Sequence, residues 1–446
     1  GNTMEDDKMA KLVSLCKRRG FVFPSSEPYG GITGFYDYGP LGVELRNNIK
    51  RAWWKRAVQL RDDVVGLESS LVMNPKVWEA SGHVDHFSDP LADCRRCKAR
   101  FRTDDLEKPG TCPQCGSEDI TDARPFHMMF KTFVGPAEDT AATAYLRPET
   151  AQGMFVDFPL VQEMSRRKLP FGIAQIGKAF RNEITPGNFF FRMREFELME
   201  IEYFVRPEDA PRAFEEWLAF MKDWLKVCGI HDDHVVFHEI PEVDRAHYSS
   251  RTIDIEYQYP FGLKELYGLA NRGSYDLERH TEVSKQNFMY FDQESNTRFL
   301  PHVIEPAFGL DRTMLVVLLE AYHEIEGGRT TTTESAKEME VVLRLPKELA
   351  PYKVAVLPLS KKEPLTAKAR DITADLRKNW MVAYDDVASI GRRYRRQDEI
   401  GTPYCVTVDF ESLEDGKVTV RDRDTMAQER IAIGELRAYI ESKLSV

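Results

Sequence analysis

The sequence predicts an α+β protein with an antiparallel sheet flanked by helices, a cysteine-rich insertion and a smaller C-terminal α/β domain. Three observations support this fold class. Residues 173–205 contain two strand-like segments on either side of a Pro186-Gly187-Asn188 turn. Residues 94–115 hold two Cys-x-x-Cys pairs, and residues 352–446 alternate between strand-like and helix-like segments.

The composition is that of an ordinary globular protein: 446 residues, enough for two or three domains, with 42% hydrophobic and 30% charged residues. A net charge of −11 excludes a global basic field, so any contact with RNA must use local patches such as residues 165–168 and 391–396. The sequence has no run of about 18 apolar residues and no apolar signal region, so we expect no membrane span and a cytoplasmic location.

The N-terminal elements are predicted to be helices around one shaped loop. Residues 5–19 carry an apolar helical face and stop at a glycine. Residues 24–42 are rich in Gly and Pro, which predicts a loop. Val43–Leu60 fits an amphipathic helix, a strand follows, and Lys76 opens another helix.

The two strands around the 186–188 turn each have a face with ionisable groups, because strand side chains alternate between faces. These faces are formed by Gln175, Arg181 and Glu183 in the first strand and by Phe196, Leu198, Glu200 and Glu202 in the second. A solvated sheet face is one explanation, and a binding surface is the other.

The four paired cysteines, Cys94, Cys97, Cys112 and Cys115, can close a tetrahedron of thiolates around zinc. The alternatives are reduced thiols in a ribbon that has lost its metal and a redox dithiol, for which no thioredoxin-like context is present. A site with four protein ligands has no open position, so we expect structural zinc without catalysis by the metal.

The remaining elements of the large domain are a helix, a strand and a strand–helix unit. Residues 208–228 carry an aromatic stripe at helical spacing, followed by His231, His234 and His238, which we interpret as loop histidines rather than a second metal site. Residues 252–258 and 299–305 are predicted strands, and Pro306 opens a helix that runs to about residue 326. Arg312 then lies in its first turn, where a cation costs roughly 0.3–1 kcal/mol unless an anion binds there.

A polar linker or hairpin is predicted at about residues 327–340, before the C-terminal domain. The elements predicted for that domain are strands at 353–357, 381–384 and 404–409, helices at 364–379 and 434–444, and a hairpin turn at 414–417.

The 180–196 region carries a resemblance to a known family. Phe180-Arg181-Asn182-Glu183, a loop and Arg192-Met193-Arg194-Glu195-Phe196 resemble motif 2 of the class II aminoacyl-tRNA synthetases. Pro306–Arg312 resembles motif 3, and the helix at Val43–Leu60 with its strand resembles motif 1. The Pro usual in the motif 1 strand is missing, with Ser70 and Pro75 nearest to its position.

Further segments narrow the resemblance to the glycyl-tRNA synthetases of the dimeric single-chain type, over nearly the whole chain. They are residues 29–42, 126–136, 145–153 and 264–276. The resemblance implies a class II antiparallel sheet, a zinc ribbon at about 91–122 within a catalytic domain of residues 1–345, and an α/β anticodon-binding domain of residues 346–446. It also implies a homodimer that acts on glycine and tRNA(Gly).

The implied reaction forms glycyl-adenylate from glycine and ATP and then passes the glycyl group to the 3′ end of the tRNA. Such a reaction needs positioning and charge neutralisation more than a general base. Arg181 and Arg312 are implied to hold the α- and γ-phosphates as the catalytic residues. The implied ATP-binding residues are Arg181, Asn182, Glu183, Phe191, Arg192, Arg194, Phe196, Glu265, Leu266, Gly309, Asp311 and Arg312.

The implied glycine pocket combines carboxylates for the ammonium with arginines. Its residues are Arg102, Glu149, Phe196, Glu200, Arg272, Glu305 and Ala307. Arg102 lies inside the zinc segment, which would make the ribbon a wall of the pocket. Glu265 and Glu305 are candidate Mg²⁺ ligands, since magnesium prefers oxygen. An ion-pair network with the arginines is the alternative role for Glu149 and Glu200.

Two positions depart from the family pattern at the pocket, and one basic run is the candidate contact for tRNA. Ala307 stands where many members have Ser, and Leu198 stands where bacterial relatives often have Gln, so each removes a polar contact at the pocket. For tRNA we expect contacts from Arg392, Arg393, Arg395 and Arg396, with a solvated helix face paired to neighbouring acidic residues as the alternative.

Two other functions stay open at this stage. A synthetase-derived tRNA-binding protein without activity would usually have lost the phosphate arginines, whereas Arg181, Glu183 and Arg312 are all present. A paralogue that activates another small amino acid, or charges a carrier protein, is kept open by Ala307. The anticodon-type C-terminal domain favours tRNA over a carrier.

Overall fold

The structure, a computed structural model, describes residues 3–326 and 339–445. Within these residues the helices are α1 Thr3–Arg18, α2 Pro40–Trp54, α3 Lys76–Ser81, α4 His83–His86, α5 Ala151–Val156, α6 Phe158–Ser165, α7 Ala210–Val227, α8 Tyr275–Ser284, α9 Leu310–Ala321, α10 Glu363–Leu376, α11 Ile390–Ile400, α12 Phe410–Asp415 and α13 Leu436–Leu444. A π-helical turn at Lys55–Gln59 continues α2, so the predicted Val43–Leu60 helix is present. The predicted linker at 327–340 lies outside the described residues up to residue 338.

The strands of the large domain are β1 Val22–Pro24, β2 Tyr36–Tyr38, β3 Val64–Gly66, β4 Ser88–Asp93, β5 Arg100–Arg102, β6 Arg124–His127, β7 Lys131–Phe133, β8 Thr143–Tyr145, β9 Phe171–Phe180, β10 Glu195–Val205, β11 Val235–Glu239, β12 Arg251–Tyr259, β13 Gly262–Gly273, β14 Tyr290–Asp292, β15 Thr297–Phe299, β16 His302–Gly309, β17 Tyr322–Ile325 and β18 Glu340–Leu343. The C-terminal strands are β19 Val354–Pro358, β20 Val382–Tyr384, β21 Tyr404–Val408, β22 Lys417–Asp422 and β23 Gln428–Ala432.

A seven-stranded sheet in the order β11-β12-β13-β16-β10-β9-β3 organises the large domain. Its neighbours are antiparallel except β3 and β9, which are parallel. Met199, Ile201 and Tyr203 of β10 are buried in a core with residues of α2, α7 and α9. The opposite face carries Leu198 and Glu200, so the predicted alternation along the second strand is confirmed.

The first strand of the pair is shorter than predicted. β9 ends at Phe180; the Arg181 amide still donates to Arg194 O at 3.0 Å, but the Asn182 amide donates to Met128 O at 2.7 Å instead of to the neighbouring strand. The strand therefore does not reach Glu183, and the prediction that Glu183 shares a strand face with Gln175 is wrong. Gln175 is buried, and its Oε1 accepts hydrogen bonds from Ser69 N and Oγ.

Pro306 lies inside β16 rather than at a helix start, which corrects the predicted boundary between the strand and the helix. The β10–β16 ladder pairs Leu198–Glu200 with Ala307–Gly309 and Tyr203–Val205 with His302–Ile304. It is interrupted between these blocks, since Pro306 has no N–H to donate. Helix α9 starts only at Leu310, and Arg312 is in its first turn, as predicted.

Two further boundaries differ from the prediction. Helix α9 ends at Ala321, because the chain continues as β17, which pairs with β18. Residues 414–417 are not a hairpin turn: α12 ends at Asp415, Gly416 adopts the left-handed conformation as its cap with φ 68°, and β22 begins at Lys417.

The C-terminal region forms a five-stranded sheet in the order β20-β19-β21-β22-β23 with its own apolar core. β19 is parallel to β20 and β21, and the following pairs are antiparallel. The predicted α/β character is confirmed. None of the helices in residues 3–326 and 339–445 is both long and apolar enough to span a bilayer.

Candidate active site

A cleft of about 550 Å³ opens over the free face of the central sheet. Cross-strand pairing aligns Glu200 of β10 with Ala307 of β16, Ala307 with Gly268 of β13, and Gly268 with Asp254 of β12. One row across the floor therefore has small residues in the middle and a carboxylate at each side. The cleft has two chemically different ends.

One end is centred on Arg272, which is only 3% exposed. Its Nε and Nη2 donate to Asp276 at 2.8 and 2.9 Å, and its Nη1 donates to both oxygens of Glu305 at 3.2 and 3.3 Å. Burial acts to lower the pKa of Arg272, but Asp276 and Glu305 hold it well above the usual value. The positive charge at this end is therefore compensated.

Three buried carboxylates, Glu200, Glu202 and Glu305, bring oxygens within 4.8 Å of one another beside Arg272. Burial, followed by Glu305 and Glu149, raises the pKa of Glu200 to about 8. Thr150 Oγ1 donates to Glu200 at 2.7 Å and orients it. Burial and Glu305 also raise the pKa of Glu202. This end favours a cation, since one added positive charge would relieve the repulsion among the carboxylates.

Glu149 completes the carboxylates at this end. Gln152 Nε2 donates to its Oε1 at 2.9 Å, and His83 Nε2 lies 3.6 Å away. Burial alone would raise the pKa of Glu149, but His83, Arg272 and the Gln152 hydrogen bond outweigh it and lower the pKa. Glu149 is therefore an ionised acceptor in the cleft wall.

The other end carries Arg312, whose partners are neutral. Its Nε donates to Phe191 O and its Nη1 to Glu265 O, each at 3.2 Å, and its guanidinium carbon lies 4.0 Å from the centre of the Phe191 ring. Burial lowers the pKa of Arg312. The charge of Arg312 is thus not balanced by a bonded carboxylate, and the cation sits at the positive end of α9. Such an end favours an anion.

Arg181 also lines the cleft with a neutral partner. Its Nε donates to Pro148 O at 3.0 Å, and its guanidinium carbon lies 5.3 Å from the centre of the Phe196 ring. Phe196 and Glu183 line the same cleft, where burial raises the pKa of Glu183. The structure therefore gathers the strand arginine, the acid and the aromatic residue that the sequence singled out.

The other predicted nucleotide contacts divide into lining and supporting residues. Phe191, Arg192, Glu265, Leu266, Gly309 and Asp311 line the cleft, whereas Asn182 and Arg194 do not. Arg194 donates from Nε to Glu183 O at 3.0 Å and from Nη1 to Thr33 O at 2.7 Å, so it fastens two loops. Asp311 accepts hydrogen bonds from Arg46, Tyr38 and the Glu197 amide. These three donors occupy its carboxylate within the protein.

Glu265 reaches the cleft through a bulge. Ile255 faces Tyr267 and Glu256 faces Glu265, which leaves Leu266 without a partner on β12. The extra residue turns Glu265 to the face that carries Asp254. Glu305 faces Ala270, five positions further along β13 and roughly 16 Å away at the strand rise. One Mg²⁺ ion, with ligands at about 2.1 Å, cannot bind both carboxylates at once, so the two candidate ligands do not share one ion.

Arg102 does not line the cleft, contrary to its predicted place in the glycine pocket. It belongs to β5 of the small sheet β5-β4-β6, and its guanidinium is drawn to Asp89 at 3.3 Å, Asp105 at 3.1 Å and Asp104 at 3.4 Å. The ribbon nevertheless contacts the motif 2 loop, since Arg192 lies 3.7 Å from Asp105.

The four cysteines of the ribbon converge. Cys94 Sγ lies 3.6 Å from Cys115 Sγ, Cys97 Sγ lies 3.6 Å from Cys112 Sγ, and all four sulfur atoms lie within 4.8 Å of one another. A tetrahedron with Zn–S bonds of about 2.3 Å has S–S edges of roughly 3.8 Å. The donor set therefore fits zinc. Among the described residues the histidines at 231, 234 and 238 form no such group: His234 pairs with Glu320 and His238 with Glu256.

The basic run lies on α11, and only part of it is accessible. Arg393 is 1% exposed and donates to the carbonyls of Pro358, Leu359 and Asp385, so its prediction as an RNA contact is wrong. Arg396 pairs with Asp385 at 2.7 Å. Arg392, Arg395 and Arg396 border a second cleft of about 400 Å³, together with Arg18, Arg19 and Glu399.

Among the residues of the site that the sequence analysis left without a role, Tyr248 and Asp254 line the cleft, and Thr150 and Asp276 bond to the lining residues Glu200 and Arg272. Two of them left a usable signal. Asp276 follows Arg272 by four positions at the start of a helix, and Asp254 alternates with Ile253 and Ile255 along a strand. Thr150 and Tyr248 act through contacts between distant segments, which no local pattern encodes.

Comparison with known proteins adds two family models and several close relatives. The tRNA synthetase class II core domain (G, H, P, S and T) matches residues 133–322, and the anticodon binding domain matches residues 353–443. Proteins named glycine–tRNA ligase from Geobacillus thermodenitrificans and Thermobifida fusca are each 52% identical to this chain over 99% of both proteins. A third, from Geobacillus kaustophilus, is 52% identical over 98% of this chain and 99% of its own length.

Proposed function

This chain belongs to the glycine–tRNA ligase family of class II synthetases, and from that premise we propose that it activates glycine with ATP and transfers the glycyl group to tRNA(Gly). The observation that carries the proposal is the polarity of the cleft. One end presents arginines bonded to neutral carbonyls, and the other presents clustered carboxylates. ATP and an amino acid have the complementary charges.

At the phosphate end, Arg181 would bind the α-phosphate and Arg312 the γ-phosphate of ATP. Both guanidinium groups are held by backbone carbonyls, so they are oriented before a ligand arrives. Phe196 would stack on the adenine, and Glu183 would accept from its amino group. Charge that develops around phosphorus is then met by cations already in place, which is the main contribution that this reaction needs.

Glu265 is the carboxylate that we propose for magnesium, which supplies further neutralisation of the phosphates. Its support is the bulge that turns it to the cleft beside Arg312, whose Nη1 is bonded to the Glu265 carbonyl. Glu305 is left to the amino-acid end, where it is paired with Arg272.

At the amino-acid end, Glu149, Glu200 and Glu305 would accept hydrogen bonds from the glycine ammonium. The support for Glu200 is its burial beside two other carboxylates and its orientation by Thr150. Glycine carboxylate then points along the floor toward the phosphate end, where it attacks phosphorus without a general base because it is already ionised. Ala307 and Gly268 leave the floor free of side chains between the two ends.

Structural zinc is the ligand that we propose for Cys94, Cys97, Cys112 and Cys115. We expect one zinc per chain by elemental analysis of protein purified without added metal. Cys97→Ser, with buried Cys405→Ser as the matched control, should lose the zinc. Retention of one equivalent of zinc by the Cys97 variant would contradict the ligand set.

For tRNA we propose phosphate contacts in the second cleft, by Arg392 and Arg18. Arginines from α1 and α11 meet there around Glu399, which accepts from Arg18 at 2.7 Å and from Arg19 at 2.6 Å. The whole chain has a net charge of −11, but the arginines that border this cleft outnumber its one glutamate. This local excess of positive charge favours binding of a polyanion. Arg392→Glu should weaken tRNA binding and leave glycine activation unchanged. Arg212→Glu, at an exposed position of α7, is the control.

We also propose a homodimer, a cytoplasmic location and a domain boundary at 345/346. Leu60, Leu160 and Met164 expose more than half of their surface near the motif 1 elements, which supports a dimer face there. None of the seven cysteines, all of which lie in the described residues, forms a disulfide, which suits a reducing compartment. The separate C-terminal core supports two domains, but it begins at Val354, and Leu349 and Ala350 still pack in the core of the large domain. Light scattering should give twice the mass of 51.4 kDa.

Amino-acid-dependent ATP–pyrophosphate exchange tests the proposed function. Exchange with glycine, and not with alanine or serine, is the expected result. Exchange with alanine or serine instead would keep the chemistry and change the substrate. Protein that binds tRNA but shows no exchange with any amino acid would favour the inactive tRNA-binding alternative.

A further inference from the structure

A loop between β11 and β12, residues 240–250, covers the amino-acid end of the cleft. We call it the covering loop. Pro241, Asp244, Arg245, Ala246 and Tyr248 of this loop line the cleft opposite the sheet. Val243 at its tip points away and is 90% exposed. This role was not predicted, because the loop is polar and carries no motif.

The covering loop is fastened at both ends. Ile240 N donates to Thr252 O at 2.9 Å, and Ser250 N donates to Asn271 O at 2.9 Å. His247 Nε2 lies 3.0 Å from Tyr275 Oη at the start of α8. The segment that carries Tyr248 is therefore tied both to the sheet and to the helix that holds Asp276.

Tyr248 lies over the central arginine of the amino-acid end. The Arg272 guanidinium carbon is 3.8 Å from the centre of the Tyr248 ring and 5.3 Å from that of Phe155. Arg272 is itself fixed by Asp276 and Glu305, so it offers the ring a rigid base. Burial, with Glu305 and Glu149 close by, raises the pKa of Tyr248 and keeps its phenol neutral.

The floor of the cleft does not limit the size of an amino acid. Ala307 and Gly268 are adjacent in the row that runs from Glu200, and Ala270 faces Glu305 in the next row. A methyl group at the α-carbon of the substrate would find no large side chain on these floor positions. Rejection of alanine must then come from the opposite wall, where Tyr248 supplies the aromatic ring.

We propose that Tyr248 is a specificity-determining residue, whose ring on Arg272 closes the space above the α-carbon and excludes amino acids larger than glycine. This inference rests on the proposed function. Steric rejection of one methyl is worth roughly 10- to 200-fold in kcat/KM. The ring, rather than the hydroxyl, carries the effect, because no hydrogen bond of the Tyr248 hydroxyl is found within the described part of the chain.

The test is ATP–pyrophosphate exchange with glycine, alanine and serine for the wild type, Tyr248→Ala and Tyr248→Phe. We expect Tyr248→Ala to raise the alanine-to-glycine ratio of kcat/KM at least about 10-fold. The KM for ATP should stay unchanged, which a general loss of structure would not allow. Tyr248→Phe, which keeps the ring, should restore most of the discrimination. Val243→Ala in the same loop is the matched control and should behave as the wild type.

Three results would overturn the inference. Tyr248→Ala with an unchanged alanine-to-glycine ratio would show that another group excludes the methyl. Equal loss of discrimination in Tyr248→Phe would assign the effect to the hydroxyl. Lack of glycine-dependent exchange in the wild type would remove the proposed function and this inference together, whereas the first two results leave the proposed function intact.

Discussion

The two ends of the cleft use arginine in opposite ways. Arg272 is surrounded by Asp276 and Glu305, which compensate its charge. Arg312 and Arg181 are bonded to main-chain carbonyls, which orient them without neutralising them. The same residue type is therefore part of the scaffold at one end and, in the proposed function, a phosphate-binding group at the other. The two groups differ in the charge of the bonded partner and also in burial, since Arg181 and Arg312 are partly exposed.

The largest effect is expected when the positive charge of Arg312 is removed from the phosphate end. Arg312→Ala should lower kcat/KM for glycine activation at least about 10³-fold, roughly 4 kcal/mol, because an oriented cation at the developing charge is lost. The melting temperature should not fall, because Arg312 is bonded to main-chain carbonyls and its removal leaves no carboxylate unpaired. A variant with near-normal exchange would place phosphate binding elsewhere.

The same comparison predicts the reverse for the scaffold arginine. Asp276→Ala should lower the free energy of unfolding by about 3 kcal/mol, because it leaves buried Arg272 only partly paired. Chemical denaturation measures this change. Glu278→Gln, on the exposed side of α8, is the control and should stay within about 0.5 kcal/mol. A stable Asp276 variant would mean that Glu305 alone compensates Arg272.

A smaller effect is expected from one carboxylate of the ammonium site. At about pH 9, where most of Glu200 is ionised, Glu200→Gln should raise the KM for glycine roughly 10- to 150-fold, since a charged hydrogen bond is worth about 1.5–3 kcal/mol. Steady-state exchange at varied glycine checks this. Glu195→Gln on the same strand, at the exposed pair with Lys178, is the control. Equal KM values for the two variants would remove Glu200 from the site.

The smallest effect concerns pH. The pKa of Glu200 is about 8 in the free protein, and only its ionised form attracts the glycine ammonium. Raising the pH from 6.5 to 8 increases the ionised fraction of Glu200 from about 3% to about one half, so the KM for glycine should fall, by up to about tenfold per pH unit at the acid side, and level off above pH 8. Glu200→Gln should flatten this profile. A KM that rises over this range would contradict the raised pKa.

Local patterns were enough to predict the parts of the site that local structure creates. Gly309 and the helix after it put Arg312 in a first turn, and two Cys-x-x-Cys pairs identified the four cysteines that converge. Alternation along β10 identified the face that carries Glu200. In each case the neighbours that decide the geometry lie within one element or one turn.

The wrong predictions concern residues whose positions depend on contacts with other elements of the fold. Pro306 reads as a helix start, but the strands on both sides of β16 hold it in the sheet. Arg393 reads as part of a basic surface, yet the carbonyls of Pro358 and Leu359 draw it inside. Arg102 is drawn away from the cleft by Asp89 of strand β4, together with nearby Asp104 and Asp105. Tertiary hydrogen bonds settle these positions, and a single sequence does not display them.

The most direct measurement is a crossed comparison of two variants in glycine-dependent ATP–pyrophosphate exchange. If the cleft has a phosphate end and an ammonium end, Arg312→Lys should raise the KM for ATP with little change in the KM for glycine. Glu200→Gln should raise the KM for glycine with little change in the KM for ATP. Equal shifts of both KM values in both variants would contradict two chemically separate ends.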